Sequence, residues 1–243
     1  LKSVLDTSKT NTTIVTRLYN NVYQDAILLS SSYELKRSDS HVHTQKFLNT
    51  QSIVGGWQLR PKTSDSESIV ALNAHTREAV VAFRGSSQNP SDWACVKSIV
   101  LSSYMQNEQF IRAFEKVKSV KDSIPHGYTL KLLGYSAGGA KAIAIGEALD
   151  IPSTTYNPFL PLRNTHSIRG DASQHMYRVV NDPTTFHSLV PSRNRTFTHV
   201  MPLQDTDNIA ERVLTPHSLG QFKHVDSTAR PHMNAKQLRA HYT

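Results

Sequence analysis

The sequence is poor in cysteine, with one in 243 residues. A single thiol cannot form an internal disulfide, so the fold does not depend on an oxidising compartment. Cys95 lies in no pattern typical of a thiol nucleophile, and we interpret it as a small buried apolar residue.

Long apolar runs are also lacking. No run approaches the roughly 20 residues that a membrane-spanning helix needs, and the polar N-terminus has no apolar segment of the kind found in signal peptides. Because the chain begins at Leu1, we expect a processed product or a segment of a longer polypeptide. The cellular compartment is left open.

Acidic residues are fewer than basic ones. Lysine and arginine number 27 and aspartate and glutamate 19, which gives a formal charge of +8 and a pI near 9.6. Such a field attracts nucleic acid, an anionic membrane surface or anionic lipid. The basic residues are scattered and form no dense run with interleaved aromatics, so nucleic acid is the least favoured partner.

The length and a hydrophobic fraction of 38% suit one large domain over residues 1–243. Residues 1–56 are expected to form an N-terminal helical extension. Apolar residues three to four apart predict an amphipathic helix over Ile14–Leu29, and the polar stretch Ser30–Thr50 predicts a loop with room for a short helix. A lid or cap is one role for this extension, and the helix after Asp92 is the other lid candidate.

From Trp57 onward, short β-rich runs alternate with helical patterns. Ser68–Leu72 and Ala79–Arg84 predict an antiparallel hairpin. The alternation that follows predicts an α/β fold with a mostly parallel central sheet and helices on both faces. The predicted helices are Ser91–Tyr104, Asn107–Val120, Gly138–Leu149 and Asn234–His241, and the strands are Thr129–Tyr135, Ser153–Tyr156, Met176–Val180 and Thr196–Met201.

The segment Gly134–Gly138 reads Gly-Tyr-Ser-Ala-Gly, follows an apolar strand and opens a helix. This is the setting of a nucleophile elbow, in which a sharp turn exposes the serine hydroxyl at the top of a sheet. The pattern predicts Ser136 as the nucleophile in a strained backbone conformation. The N–H of Ala137, at the helix N-terminus, becomes one donor to an oxyanion.

A second oxyanion donor is expected from a loop after an earlier strand. The strand that ends near Arg84 continues into Gly85 and Ser86. We predict the Ser86 N–H as this donor, with its hydroxyl as a further candidate. Arg84 is interpreted as the partner of Asp92 in a structural ion pair rather than as a ligand for a substrate phosphate.

Taken together, these motifs resemble the class 3 lipases, which include fungal triacylglycerol lipases and related phospholipases A1. The resemblance implies an α/β-hydrolase fold. Two features depart from the family: Tyr135 and Ala137 replace the usual histidine and leucine of the elbow, and no acidic residue follows the Asp-Trp pair near Cys95. The matching stretches are Ala79–Ser86, Ser91–Trp93, Leu132–Ala140, Thr155–Pro158 and Arg178–Pro183.

Hydrolases of this architecture order their triad as serine, acid and histidine. Asp182 follows the predicted strand Met176–Val180, at the carboxyl end where sheet-borne sites assemble, and the family resemblance implies an acid in this segment. The segment Thr215–Gly220 resembles the His-Ser-Leu context in which related hydrolases place their histidine. This resemblance favours His217 as the base, with His224 as the alternative.

We therefore predict a serine hydrolase that cleaves carboxylic acyl esters of lipids, of the lipase or phospholipase A type, through an acyl-enzyme. No cofactor is expected, and His41 and His43 lack the spacing of a metal site. The basic charge favours phospholipid at an anionic surface. One alternative uses the same residues in a soluble esterase, thioesterase or acyltransferase, and another is a catalytically silent binding or assembly domain excised from a larger protein.

Overall fold

A computed structural model of the chain describes residues 21–51, 55–86, 90–101, 103–159, 171–179 and 195–200. Helix α1 covers residues 21–38 of this part. The later helices are α2 (His41–Thr50), α3 (Pro90–Val100), a 3-10 helix (Tyr104–Gln106), α4 (Glu108–Ser123) and α5 (Ala137–Leu149). The strands are β1 (Trp57–Leu59), β2 (Ser68–Asn73), β3 (Glu78–Phe83), β4 (Thr129–Tyr135), β5 (Ser153–Tyr156), β6 (Gln174–Val179) and β7 (Arg195–Val200).

The seven strands form one sheet in chain order. β1, β2 and β3 pair antiparallel, as the predicted hairpin requires, and the four pairings from β3 to β7 are parallel. The predicted mostly parallel sheet is therefore confirmed. Its register places Phe83 beside Gly134 and Tyr135 beside Tyr156, so the carboxyl ends of β3, β4 and β5 meet at one edge.

Side chains of successive strand residues point to opposite faces of the sheet. In β3, Val80 and Ala82 belong to the core cluster that contains α1 residues such as Ala26. Val81 and Phe83 belong to a second cluster, which contains buried residues of α3, α4 and α5. Helices therefore cover both faces, as predicted, and this double burial explains why β2 and β3 are apolar almost throughout.

The predicted loop over Ser30–Thr50 is wrong, because helix α1 continues to residue 38. The short helix for which that prediction left room is present as α2, which begins after two further residues. The hydroxyls of Ser30, Ser31 and Ser32 donate to backbone carbonyls three or four residues earlier, at 2.7, 2.9 and 2.6 Å. These bonds satisfy polar side chains inside a buried helix. Ser40 then caps α2 by accepting the His43 N–H at 3.2 Å.

The other predicted elements that fall within the described residues are present with ends shifted by a few residues. β1 was missed, because three residues at a sheet edge are too few for a period-2 pattern to stand out. The predicted helix Asn234–His241 lies outside the described residues. In the part of the chain that the structure describes, no helix is long and apolar enough to cross a bilayer. The single-domain assignment stays a prediction.

Candidate active site

Ser136 lies on the turn between β4 and α5 with φ 55° and ψ −121°. This is a sparsely populated conformation for a residue with a side chain, and surrounding structure must enforce it. Two backbone hydrogen bonds do so, one with the last residue of β5 and one with the segment that follows it. The Ser136 N–H donates to the Tyr156 carbonyl at 3.1 Å, and the Ser136 carbonyl accepts the Phe159 N–H at 3.0 Å.

The two glycines of the elbow allow three backbones to approach one another. A side chain on Gly134 would collide with the backbone of Gly138, and a side chain on Gly138 would collide with the carbonyls of Phe83 and Arg84. Any side chain at either position would therefore push α5 away from β4 or from the end of β3.

Ser86 and Ala137, the two predicted oxyanion donors, line the same small cavity. Ala137 is the first residue of α5, and Ser86 follows the end of β3 by three residues. The cavity has a volume of about 10 Å³, room for about one water molecule. The parallel pairing of β3 with β4 brings the two residues together, since both follow the carboxyl ends of neighbouring strands.

The loop that carries Ser86 is anchored by buried charges. Arg84 Nη1 lies 2.9 Å from Asp92 Oδ2 and donates to the Gly85 carbonyl at 2.7 Å. Gln109 Nε2 donates to the other Asp92 oxygen at 2.9 Å. The predicted structural ion pair is thus confirmed. A pair this deeply buried is stable only when further hydrogen bonds satisfy its remaining atoms, as they do here.

A further buried charged residue, Lys141, lines this cavity and was not predicted from the sequence. Lys141, 5% exposed, extends from α5 and lies 3.4 Å from Glu67, which also pairs with Arg112 at 3.6 Å. In the sequence Lys141 is only a polar interruption of an alanine-rich helix, with no local sign of its partner. Cys95 lines the same cavity; its burial raises the pKa of the thiol, so it remains protonated, consistent with an apolar role.

Tyr33 is a further residue that the sequence did not single out. It lies on α1, and its hydroxyl accepts the Gly85 N–H at 2.8 Å. Burial raises the pKa of this phenol to about 12. Half-buried tyrosines on amphipathic helices are common core residues, so the sequence carries no signal of this contact.

The predicted acid Asp182 and the predicted bases His217 and His224 lie outside the described residues. The described chain reaches Val179, three residues before Asp182. There, Asn157 Oδ1 accepts the Val179 N–H at 2.8 Å and ties the end of β5 to the end of β6. Among the described residues, no three histidine, cysteine or carboxylate side chains lie together in a way that could hold a metal ion.

No protein-family model and no curated protein matches the chain. Among solved structures it is similar to a lipase from Rhizopus microsporus var. chinensis, with 13% identity over 85% of this chain and 86% of that one and a TM-score of 0.45. It is also similar to lipase II from Rhizopus niveus, with 14% identity over 79% and 83% and a TM-score of 0.47. A third similar structure is a Rhizomucor miehei lipase–propeptide complex, with 11% identity over 85% of this chain and 77% of that one and a TM-score of 0.45.

These solved structures are lipases, the group that the sequence motifs resemble. Both the identities and the TM-scores are low, so the activity of this chain is inferred from the residues of its own site.

Proposed function

We propose that the chain is a serine hydrolase that cleaves carboxylic acyl esters of lipids. The observation that carries this proposal is the strained Ser136 at the carboxyl edge of the sheet, directly before Ala137, which lines one cavity together with Ser86. A strained conformation persists only where surrounding contacts enforce it, and such positions cluster at functional sites. A turn that merely joined a strand to a helix would not require it.

In the proposed mechanism, His217 removes the proton from Ser136 Oγ as that oxygen attacks the ester carbonyl carbon. Asp182 orients the imidazole and stabilises its protonated form. The N–H groups of Ser86 and Ala137 donate to the developing oxyanion. Collapse of the tetrahedral intermediate expels the alcohol, which takes the proton from His217. Water then attacks the acyl-enzyme by the same route and releases the carboxylic acid.

Phospholipid is the substrate that the charge of the protein favours. A formal charge of +8 draws the protein to anionic surfaces, where each basic residue near the surface contributes about 1 kcal/mol. A phospholipase A activity therefore ranks above neutral-lipid hydrolysis in this proposal, and both use the same residues.

The test is labelling with a fluorophosphonate probe, which phosphonylates an activated serine, on the wild type and on Ser136→Ala. We expect labelling of the wild type and none of the variant. Ser31→Ala is a matched control, because Ser31 is a buried serine remote in sequence from the elbow. A folded wild type that resists labelling would rule out the enzyme and leave the silent binding or assembly domain.

Turnover then decides the substrate class. Release of fatty acid from phosphatidylglycerol vesicles is compared with hydrolysis of a triacylglycerol emulsion and of a short-chain ester in solution. Preference for the vesicles supports the phospholipase subtype, and turnover of the soluble ester alone identifies a simple esterase.

A further inference from the structure

The hydroxyl of Tyr33 lies next to the proposed nucleophile, although Tyr33 belongs to the N-terminal helix. Its oxygen lies 2.7 Å from the point where Gly85 would carry a Cβ atom, and Ser136 Cβ lies 3.0 Å from the same point. The phenol oxygen and the serine side chain therefore both lie against the same point beside the Gly85 backbone. A side chain at Gly85 would collide with both, so glycine allows the two to approach each other this closely.

Two sets of contacts hold Tyr33 in place, one on its ring and one on its helix. It packs edge-to-face on Tyr135, with ring centroids 6.3 Å apart, and Tyr135 directly precedes the nucleophile. The helix that carries it is fixed to the sheet by Asp25, which accepts a hydrogen bond from Tyr156 at 2.9 Å and pairs with Lys131 at 2.8 Å. A donor held this rigidly needs little reorganisation when charge develops beside it.

The hydroxyl uses its oxygen, and not its proton, in the bond with Gly85. Within the described residues the Gly85 N–H is its one hydrogen-bond partner, so the phenolic proton remains to be donated. Accepting a hydrogen bond also polarises a hydroxyl and strengthens it as a donor. The same bond occupies the Gly85 N–H. That backbone donor, which directly precedes the Ser86 N–H in the chain, is therefore not available to an oxyanion.

We propose that Tyr33 is a catalytic residue whose hydroxyl donates a hydrogen bond to the oxyanion that forms when Ser136 attacks the ester. It acts together with the N–H groups of Ser86 and Ala137, replaces the donor lost at Gly85, and keeps its own proton throughout. This inference rests on the proposed function, since it concerns the same tetrahedral intermediate.

The first test is Tyr33→Phe, which removes the donor and keeps the ring. Loss of one oxyanion donor lowers kcat about 100-fold to 1,000-fold in hydrolases, and we expect a fall of about 100-fold with KM nearly unchanged. Affinity for a trifluoromethyl ketone, which forms a tetrahedral oxyanion on the serine, should fall by a similar factor. Tyr23→Phe is the matched control, because Tyr23 lies on the same helix and packs against the same core; its kcat should not change.

A second variant separates donation to the oxyanion from support of the Gly85 N–H. Site-specific 3,5-difluorotyrosine at position 33 makes the phenol a stronger donor and a weaker acceptor. We expect kcat equal to or above that of the wild type. A fall in kcat would mean that the hydroxyl serves only as an acceptor for Gly85, and would overturn the inference even where Tyr33→Phe fails to fold.

The two proposals fail in different ways. If wild type is labelled by fluorophosphonate and turns over ester, but Tyr33→Phe matches it in kcat, then Tyr33 is not catalytic and the hydrolase stands. If wild type is neither labelled nor active, the hydrolase fails and the role of Tyr33 fails with it.

Discussion

At the scale of single residues, the conformation of Ser136 is the feature that the proposed function explains best. A positive φ at a residue with a side chain stores about 1–3 kcal/mol, and the hydrogen bonds from Tyr156 and Phe159 hold it there. Glycine adopts positive φ without this steric strain, although it has more conformational freedom to lose on folding. The strain is therefore measurable by comparing two substitutions at the same site.

We expect Ser136→Gly to unfold with a free energy about 1 kcal/mol greater than Ser136→Ala. Both variants should be inactive, so stability and activity separate at one position. Urea denaturation followed by circular dichroism measures the difference. Equal stability of the two variants would show that the turn stores no strain.

The Arg84–Asp92 pair gives a second prediction at this scale. In Asp92→Asn the guanidinium stays buried without its counter-charge, which typically costs about 3–5 kcal/mol. Glu108→Gln is the control, because Glu108 is 91% exposed and lies 3.7 Å from Arg112 on the same helix; exposed pairs of this kind contribute about 0.3–0.5 kcal/mol. Denaturation midpoints compare the two, and similar small losses would contradict the structural role of the buried pair.

At the scale of elements, the site depends on how closely α5 approaches the ends of β3 and β4. The helix begins directly after the proposed nucleophile, and Gly138 lies against the carbonyls of Phe83 and Arg84. The distance between helix and strand therefore sets the relative position of Ser136 and Ser86. One methyl group is enough to alter it.

Gly138→Ala should separate α5 from the end of β3 and destabilise the protein by about 1–3 kcal/mol, the usual range for overpacking. We also expect loss of fluorophosphonate labelling, because the proposed oxyanion donors move apart. Gly55→Ala serves as the control, since a Cβ there meets nothing within 4 Å. Labelling of Gly138→Ala at the wild-type rate would show that the site tolerates the displacement.

At the scale of the whole molecule, the excess of basic residues acts through its long-range field. This field attracts anionic surfaces, and salt screens it: the screening length falls from about 10 Å at 0.1 M salt to about 3 Å at 1 M.

Binding to phosphatidylglycerol vesicles should therefore weaken strongly as salt is raised over that range, whereas binding to phosphatidylcholine vesicles should be weak and nearly independent of salt. Vesicle co-sedimentation measures both. Equal binding to the two lipids would mean that charge does not recruit the protein.

The sequence predicted most of the described architecture because periodicity depends on local backbone geometry. Strands β4 and β5 were predicted with the bounds that the structure has, since β4 is largely apolar and β5 is rich in threonine and tyrosine, which favour strands. The elbow was predictable for the same reason: its serine and both glycines lie within five consecutive residues. The end of α1 was predicted too early, because Ser30, Ser31 and Ser32 interrupt its apolar pattern. Their hydrogen bonds to carbonyls of the same helix leave no pattern in the sequence.

Only the tertiary structure decided which polar groups of distant segments contact each other. Tyr33 and Gly85 are 52 residues apart, Lys141 and Glu67 are 74 apart, and Asp25 and Tyr156 are 131 apart. Which buried polar groups meet depends on the sheet register and on where each helix docks, and both are set by packing of the whole core. The sequence by itself therefore determined the helices, the strands and the elbow. The tertiary packing determined which side chains lie around the elbow.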